Sequence, residues 1–132
     1  MRCAAVAAAA GSGRRAGGPK AELVLPGNPL PLAHRAVCAL TALGAETVIV
    51  VAQRPLSPLP PGGILHIPAP LPEAMIDSLR AGRAQLDDSI DGFWFTPVDC
   101  PSGLEAVAHW RGDLPHDRPA RFVWRGRPGH PV

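Results

Sequence analysis

The feature that most constrains the fold is an apolar run at the N-terminus that stops at a glycine-rich segment. Residues 1–10 read MRCAAVAAAA, and residues 11–20 then carry four glycines and three basic side chains. A helix this short that ends in Gly-Ser-Gly would be marginal, and a signal peptide needs a more hydrophobic stretch. The run is therefore interpreted as a buried parallel strand lined with small side chains and followed by a loop.

The chain then alternates between helical and strand patterns. Apolar side chains repeat at helical spacing over residues 30–40, after the cap Asn28-Pro29, which predicts a helix that closes at Gly44. Residues 46–51 are apolar and rich in β-branched side chains, so they predict a second strand and complete a right-handed βαβ unit. The proline-rich residues 54–72 are interpreted as a connecting loop, with residues 64–67 as a possible short strand.

Residues 73–86 predict a second helix, and residues 92–98 predict the next strand. Because proline cannot donate to a strand ladder, Pro97 requires that strand to lie at an edge or to end there. The expected buried face of the helix carries Met75, Leu79, Gly82 and Leu86.

The C-terminal third begins with Ser102-Gly103-Leu104-Glu105, a capping-box pattern that predicts a short helix through Trp110. Residues 121–124 predict a final strand, and residues 126–131 a tight loop. The whole pattern predicts an α/β fold, a single Rossmann-like domain over residues 1–132 with an open, mostly parallel sheet and flanking helices. Ligands of such sheets bind at the carboxyl ends of the strands, where residues 11–20 and Asp99 both fall.

Composition narrows the class of protein further. A chain of 132 residues that is 46% hydrophobic suits one domain, and its net charge of +2 is too mild for a nucleic-acid surface. No apolar run approaches the roughly 18 residues of a membrane helix, and the three cysteines have no metal-type spacing. We expect a reduced, cytoplasmic protein with neither a membrane nor a nucleic acid as partner.

The glycine-rich segment has the composition of a polyphosphate site. Glycine lets the backbone approach an oxyanion, successive amides form an anion-binding nest, and cations neutralise phosphate charge. Lys20 is the one lysine among 13 basic residues, and it closes this segment. The pattern Gly11-x-Gly13-x-x-Ala16 also satisfies a dinucleotide fingerprint, but Gly17-Gly18-Pro19 disfavours the helix that should follow. A P-loop is excluded because Pro19 separates Gly18 from Lys20.

A third interpretation comes from family resemblance. Residues 9–20, with Ala-Ala-Gly, Arg15, Gly17 and Lys20, resemble the A-A-G-x-S-x-R-M-G-x-x-K signature of the MobA-like nucleotidyltransferases, especially their molybdenum-cofactor cytidylyltransferase branch. Residues 74–82 resemble the G-M-x-x-S-L-x-x-G helix start of the family, residues 98–101 its G-D-M-P turn, and residues 126–132 its R-G-x-x-G-H-P-V segment.

The resemblance implies transfer of a nucleoside monophosphate, CMP from CTP, to a phosphorylated acceptor such as molybdopterin, with release of pyrophosphate. It makes Arg15, Lys20 and Asp99 catalytic, with Asp99 as the ligand of a Mg²⁺ cofactor. Ala10 resembles the cytidine-using branch, and the acceptor would contact Arg127, Gly129 and His130. The implied nucleotide-binding residues are Ala9, Ala10, Gly11, Ser12, Gly13, Gly17, Lys20 and Ser78.

Departures from the family pattern lead to an alternative interpretation of the function. Gly13, Ala16 and Ala74 replace the usual Ser, Met and Gly, and family members continue past the last motif with a stretch that supplies another acidic metal ligand. The chain, ending at Val132, is therefore expected to lack that segment and to catalyse weakly. The alternative is a regulatory or partner-binding protein that binds nucleotide without turnover.

Ordinary structural roles also stay open for these residues. Asp99 could cap a turn, Ser78 could be a surface hydroxyl, and His130 could be structural. The arginines around Trp124 could stack on single-stranded nucleic acid, although binding of an acceptor phosphate explains them equally well.

Overall fold

The computed structural model describes residues 1–11, 19–108, 123–124 and 127–128. Its centre is an open four-stranded sheet in the order β3-β2-β1-β4, and every neighbouring pair is parallel. Two further short strands, β5 and β6, pair antiparallel in a separate sheet. Within the described residues the strands are β1 (Cys3–Ala9), β2 (Val48–Ala52), β3 (Gly63–His66), β4 (Gly92–Pro97), β5 (Val123–Trp124) and β6 (Arg127–Pro128).

In the described part of the chain, three helices cover the two faces of the parallel sheet. Helices α1 (Leu32–Ala42) and α3 (Pro101–Ala108) pack together on one face, and α2 (Met75–Arg83) packs on the other. A 3-10 turn over Lys20–Glu22 precedes α1. The α/β class and the open parallel sheet predicted from the sequence are therefore confirmed.

The alanines of β1 allow both helical layers to lie close to the central strand. Successive side chains of β1 alternate between the faces, so Ala5 and Ala7 pack towards α1 while Ala4 and Val6 pack towards α2. Helix α2 contributes Gly82 to this contact, and a Cβ at Gly82 would overlap Val6. The N-terminal run is a buried strand, as predicted.

The possible short strand over residues 64–67 is confirmed as β3, which begins one residue earlier, so the preferred interpretation of this part of residues 54–72 as plain loop is wrong. Strand β3 pairs in parallel with β2, with Val48 opposite Gly63 and Val51 opposite His66. The chain reaches it through a turn in which Gly62 has a φ of 90°. Four residues between prolines give little local signal, because the pairing with β2 rather than periodicity makes this segment a strand.

The first two helices are shorter than predicted. Helix α1 begins at Leu32 because the Asn28 side chain accepts a 2.9 Å hydrogen bond from the backbone N of Leu30 and forms a turn there. Helix α2 begins at Met75, whose side chain is exposed, so the prediction that Met75 lies on the buried face is wrong. Gly82 and Leu86 are buried as expected.

The predicted start of the third helix at Ser102 is one residue late, because helix α3 begins at Pro101. The Glu105 carboxylate pairs with Arg35 of α1. Proline suits a first helical position, since its missing N–H has no partner there in any helix. The predicted end of this helix at Trp110 lies outside the described residues.

Strand β4 is an edge strand of the parallel sheet and ends at Pro97, as the sequence predicts. The strand predicted over 121–124 is present at its described residues 123–124. The loop predicted over 126–131 is wrong at residues 127–128, which form β6, and its remaining residues lie outside the described part. Within the described ranges, no helix is long and apolar enough to cross a membrane.

Candidate functional site

A cleft of about 490 Å³ opens at the carboxyl ends of β1 and β4, beside the start of α2. In open parallel sheets this edge is the usual place for ligands, because the strands end together there and the loops diverge. The lining comes from three parts of the chain. Those residues are Ala8, Ala9, Ala10, Gly11 and Lys20, then Pro72, Glu73, Ala74, Met75 and Ser78, and finally Pro97, Val98 and Asp99.

The floor of the cleft is the end of β1. Ala9 and Ala10 are buried, and Gly11 is exposed at the cleft with open space where a Cβ would lie. The backbone at Gly11 can therefore be approached closely by a ligand. Of the predicted loop residues, Ser12, Gly13, Arg15 and Gly17 lie outside the described part of the chain, so their phosphate-binding roles stay predictions.

Lys20 and Asp99 meet across this cleft although 79 residues separate them in sequence. The Lys20 Nζ lies 3.2 Å from the Asp99 Oδ2, and the two side chains are 41% and 42% exposed. The 3-10 turn positions Lys20, whereas the link between β4 and α3 positions Asp99. A cation and a carboxylate in one open cleft suit recognition of a phosphate with a divalent metal ion.

Cys100 stands next to this ion pair, with its Sγ 3.7 Å from the Asp99 Oδ1. Burial raises the pKa of the Cys100 thiol, and the neighbouring Asp99 carboxylate raises it further. The thiol is therefore protonated at neutral pH and donates weakly to Asp99. It is not an activated nucleophile, and the charged pair beside it is formed by Lys20 and Asp99.

Ser78 is the predicted helix residue that the fold brings to the cleft. It is 3% exposed and lies on the first turn of α2, which faces both the cleft and the sheet. The carboxylate of Asp77 accepts hydrogen bonds from the backbone N of Ala74 at 3.0 Å and of Glu73 at 3.2 Å, so it anchors the start of α2. The alternative of a surface hydroxyl for Ser78 is wrong.

Sequence reasoning missed the segment that precedes α2. Glu73 lines the cleft and adds a second carboxylate to it, and the exposed Met75 adds an apolar side chain. No periodic pattern in the sequence predicts that these two side chains line the cleft. The one available signal was the motif over residues 74–82, which contains Met75 and directly follows Glu73.

The predicted acceptor residues lie at the end of the chain. Arg127 belongs to β6, where its backbone pairs with Trp124, while Gly129 and His130 lie outside the described residues. Their contact with an acceptor stays a prediction.

Asp99 is the described residue that best fits a metal ligand. Its carboxylate is accessible at the cleft, and hard oxygen donors of this kind suit Mg²⁺. Within residues 1–11 and 19–108, no group of three His, Cys, Asp or Glu side chains is arranged to hold a metal ion. Mg²⁺ usually keeps several water ligands and takes others from substrate phosphates, so one or two carboxylates fit its chemistry.

The fold and this cleft define the class as an α/β protein with an open parallel sheet and a cleft at the carboxyl ends of its strands. A family model described as a MobA-like NTP transferase domain matches residues 5–132. The chain therefore belongs to the MobA-like NTP transferase family, a family of nucleotidyltransferases, and the dinucleotide alternative is set aside.

Solved structures share this fold. Rv0371c from Mycobacterium tuberculosis H37Rv aligns with a TM-score of 0.53 at 18% identity, over 82% of this chain and 60% of that one. A nucleotidyl transferase from Methanothermobacter thermautotroptrophicus, Mth528, aligns with a TM-score of 0.52 at 24% identity, over 81% and 56%. An Rv0371c homolog from Mycobacterium sp. strain JC1 gives a TM-score of 0.55 at 20% identity, over 82% and 57%.

Similarity at these identities shows a shared fold. The chain spans 60% or less of the length of each of these three structures. No protein among curated sequences matches the chain significantly.

Proposed function

We propose that this protein transfers a nucleoside monophosphate from an NTP to a phosphorylated acceptor and releases pyrophosphate. The observation that carries the proposal is the Lys20–Asp99 pair, 3.2 Å apart at the carboxyl edge of the sheet and next to the glycine-rich segment. Membership of the MobA-like NTP transferase family supports the class of reaction. The proposed nucleotide is CTP and the proposed acceptor is a cofactor precursor such as molybdopterin.

The cationic and anionic residues of the cleft have different roles. Lys20 holds the β- and γ-phosphates and stabilises the charge that accumulates on the departing pyrophosphate, together with Arg15. Asp99 holds Mg²⁺, which when bound neutralises phosphate charge. Positioning and electrostatic stabilisation of this kind supply most of the catalysis in phosphoryl chemistry.

Lys20 and Asp99 must separate for this chemistry to occur. In the structure each neutralises the other, but both are about two-fifths exposed, so an exposed pair of this kind is worth at most about 1 kcal/mol. Binding of a charged nucleotide with its metal ion exceeds that cost. The two charges therefore balance each other without blocking the ligands, and Glu73 adds a further carboxylate to the cleft.

The reaction conserves atoms in a single displacement. An oxygen of the acceptor phosphate forms a bond to the α-phosphorus of the NTP, and the bond from the α-phosphorus to the bridging oxygen breaks. The bridging oxygen leaves on pyrophosphate, which Lys20 contacts. No covalent intermediate on the protein is required.

Ser78 and Ala10 support recognition of the nucleoside. Both are buried at the cleft, Ser78 on α2 and Ala10 directly after β1. The preference for CTP rests on Ala10, and the contact of Ser78 with the nucleoside rests on similarity to the family motif. The acceptor assignment rests on Arg127, Gly129 and His130 in the same way.

The test is a pyrophosphate-release assay with Mg²⁺, each of the four common NTPs and molybdopterin. We expect release with CTP, a roughly 10²–10³-fold lower turnover in Lys20→Ala, and loss of Mg²⁺-dependent nucleotide binding in Asp99→Asn. Asp88→Asn is the matched control, because Asp88 is exposed in the link between α2 and β4 and does not line the cleft.

Unchanged turnover and NTP affinity in Lys20→Ala would contradict the phosphate assignment. The same metal dependence in Asp99→Asn as in the wild type would leave Asp99 a turn residue. Nucleotide binding without pyrophosphate release, with every NTP and acceptor tried, would support the alternative of a nucleotide-binding protein without turnover.

A further inference from the structure

Buried polar side chains are few in the described part of the chain, and one of them carries a full charge. The buried polar and charged residues there are His34, Arg35, Ser78 and Thr96. Ser78 belongs to the cleft, while Thr96 and His34 bond to backbone oxygens. Arg35 is 9% exposed, and a buried guanidinium is costly unless it is paired and hydrogen-bonded.

The partner of Arg35 is Glu105, and the two meet in a forked geometry. The Arg35 Nε donates to the Glu105 Oε1 at 2.7 Å, and the Nη2 donates to the Oε2 at 2.9 Å. Two parallel charge-assisted bonds fix direction as well as distance, unlike a single ion pair. Hydrogen bonding to Arg35 accordingly lowers the pKa of Glu105, so the pair is fully charged at neutral pH.

This clamp joins α1 to α3, the helix that follows the turn carrying Asp99. Arg35 lies in the first turn of α1, and Glu105 lies in the middle of α3. Helix α3 begins two residues after Asp99, and the backbone N of Leu104 donates to the Cys100 oxygen at 3.2 Å. The residue after Asp99 is therefore already held by the first turn of α3.

The residue before Asp99 is held from the other side. The backbone N of Val98 donates to the oxygen of Ala8 at 3.1 Å, which attaches it to the end of β1. The sheet thus fixes one end of the Asp99 turn, and α3 fixes the other. Without the clamp, α3 would be held on α1 by the apolar contact of Leu104, which is non-directional.

We propose that Arg35 and Glu105 are positioning residues for the Asp99 carboxylate: their forked ion pair sets the orientation of α3 and thereby the turn that presents Asp99 to the cleft. This inference rests on the proposed function, because it assigns the clamp a role in metal binding. Neither residue lines the cleft.

A purely structural clamp would lower stability and leave metal affinity unchanged, so both quantities must be measured. A matched control is available at the opposite end of the sheet. Arg2 pairs there with Glu46, with the Nη2 3.1 Å from the Oε2, and both side chains are about half-exposed. Glu46→Gln removes the same kind of charge from an arginine partner but lies before β2, away from the Asp99 turn.

Binding of Mn²⁺ to the 132-residue protein is titrated and monitored by electron paramagnetic resonance. The urea midpoint of unfolding is measured for each variant as well. We expect Glu105→Gln and Arg35→Lys to weaken Mn²⁺ binding by about 3–10-fold, somewhat less than the 10–100-fold typical of a group that bonds a metal ligand directly. Arg35→Lys keeps the charge but not the fork, so it reports on the clamp even if Glu105→Gln does not fold. Glu46→Gln should bind Mn²⁺ like the wild type.

Mn²⁺ affinities of Glu105→Gln and Arg35→Lys within twofold of the wild type, at any stability, would overturn the positioning role while leaving the proposed metal site in place. An equal loss of affinity in Glu46→Gln would also overturn it, since the effect would then follow general destabilisation. Failure of the wild type to bind Mn²⁺, with or without CTP, would instead remove the proposed metal site and this inference with it.

Discussion

Replacing Gly82 with alanine tests how closely α2 must lie against the sheet. Alanine is favoured over glycine within a helix by about 1 kcal/mol, so at an open position the change would stabilise the protein. At Gly82 the added Cβ would overlap the Val6 Cγ1, and it would lie 2.9 Å from the Val6 Cγ2 and 3.2 Å from the Val51 Cγ2. Val6 and Val51 are fully buried in the two central strands, so neither can move aside.

Overpacking a core of this kind costs about 1–3 kcal/mol, and severe overlap lies at the upper end of that range. After subtraction of the helical gain, we expect Gly82→Ala to lower the free energy of unfolding by about 1–2 kcal/mol. Ser78 lies one turn before Gly82 on the same face of α2. If α2 moves outward to relieve the overlap, Ser78 moves with it, so the KM for the NTP should rise as stability falls.

The measurement is urea unfolding of the wild type and variants, with NTP kinetics on the same preparations. Gly92→Ala is the control, because a Cβ at Gly92 meets open space and the change should be neutral or mildly stabilising. Val6→Ala removes the obstructing methyl groups, so in a double-mutant cycle it should recover part of the loss caused by Gly82→Ala. A Gly82→Ala protein as stable as the wild type would refute the close-contact argument.

Three further perturbations address the cleft and its clamp. Lys20→Met removes the cation that competes for Asp99, so Mn²⁺ affinity measured without nucleotide should rise by up to about fivefold; a fall would show that Lys20 does not neutralise Asp99. Ser78→Ala should raise the NTP KM by about fivefold, the equivalent of one hydrogen bond, with little change in turnover; an unchanged KM in steady-state kinetics would remove Ser78 from the nucleotide site. Hydrogen bonding to Arg35 lowers the pKa of Glu105 in the folded protein. The stabilisation by the charged Glu105 is therefore present above the unfolded-state pKa of about 4.3 and is lost as pH falls towards the lower folded-state pKa. Below pH 4, the urea midpoint of Glu105→Gln should drop less than that of the wild type.

The strands that local chemistry predicts are those with strong apolar composition. Strands β1 and β2 are almost continuously buried, and a short apolar run between turn residues is the pattern of a parallel strand covered on both faces. Strand β4 was predictable from its aromatic residues and from Pro97, which suits an edge. The parallel order then placed Gly11, Lys20 and Asp99 at one edge of the sheet, as the rule for such sheets requires.

Other features depended on partners distant in sequence. Strand β3 exists because β2 offers a free edge for it, and Glu105 forms a clamp because α1 presents Arg35 to α3. The capping-box pattern correctly indicates that the Glu105 carboxylate is able to accept a hydrogen bond within its own helix. The buried guanidinium of Arg35, 70 residues away in sequence, offers a stronger, forked pairing. No window of sequence around Glu105 contains that competitor.

The sequence by itself determined the alternation of strands and helices, the parallel sheet and the two residues whose charges meet in the cleft, because periodicity, glycine punctuation and motif spacing are local properties. Tertiary structure alone decided the contact of Lys20 with Asp99, the burial of Ser78 on the sheet side of α2, the entry of Glu73 into the cleft and the close approach at Gly82. Each of these depends on how two elements pack, and packing distances are set by the side chains of both partners together.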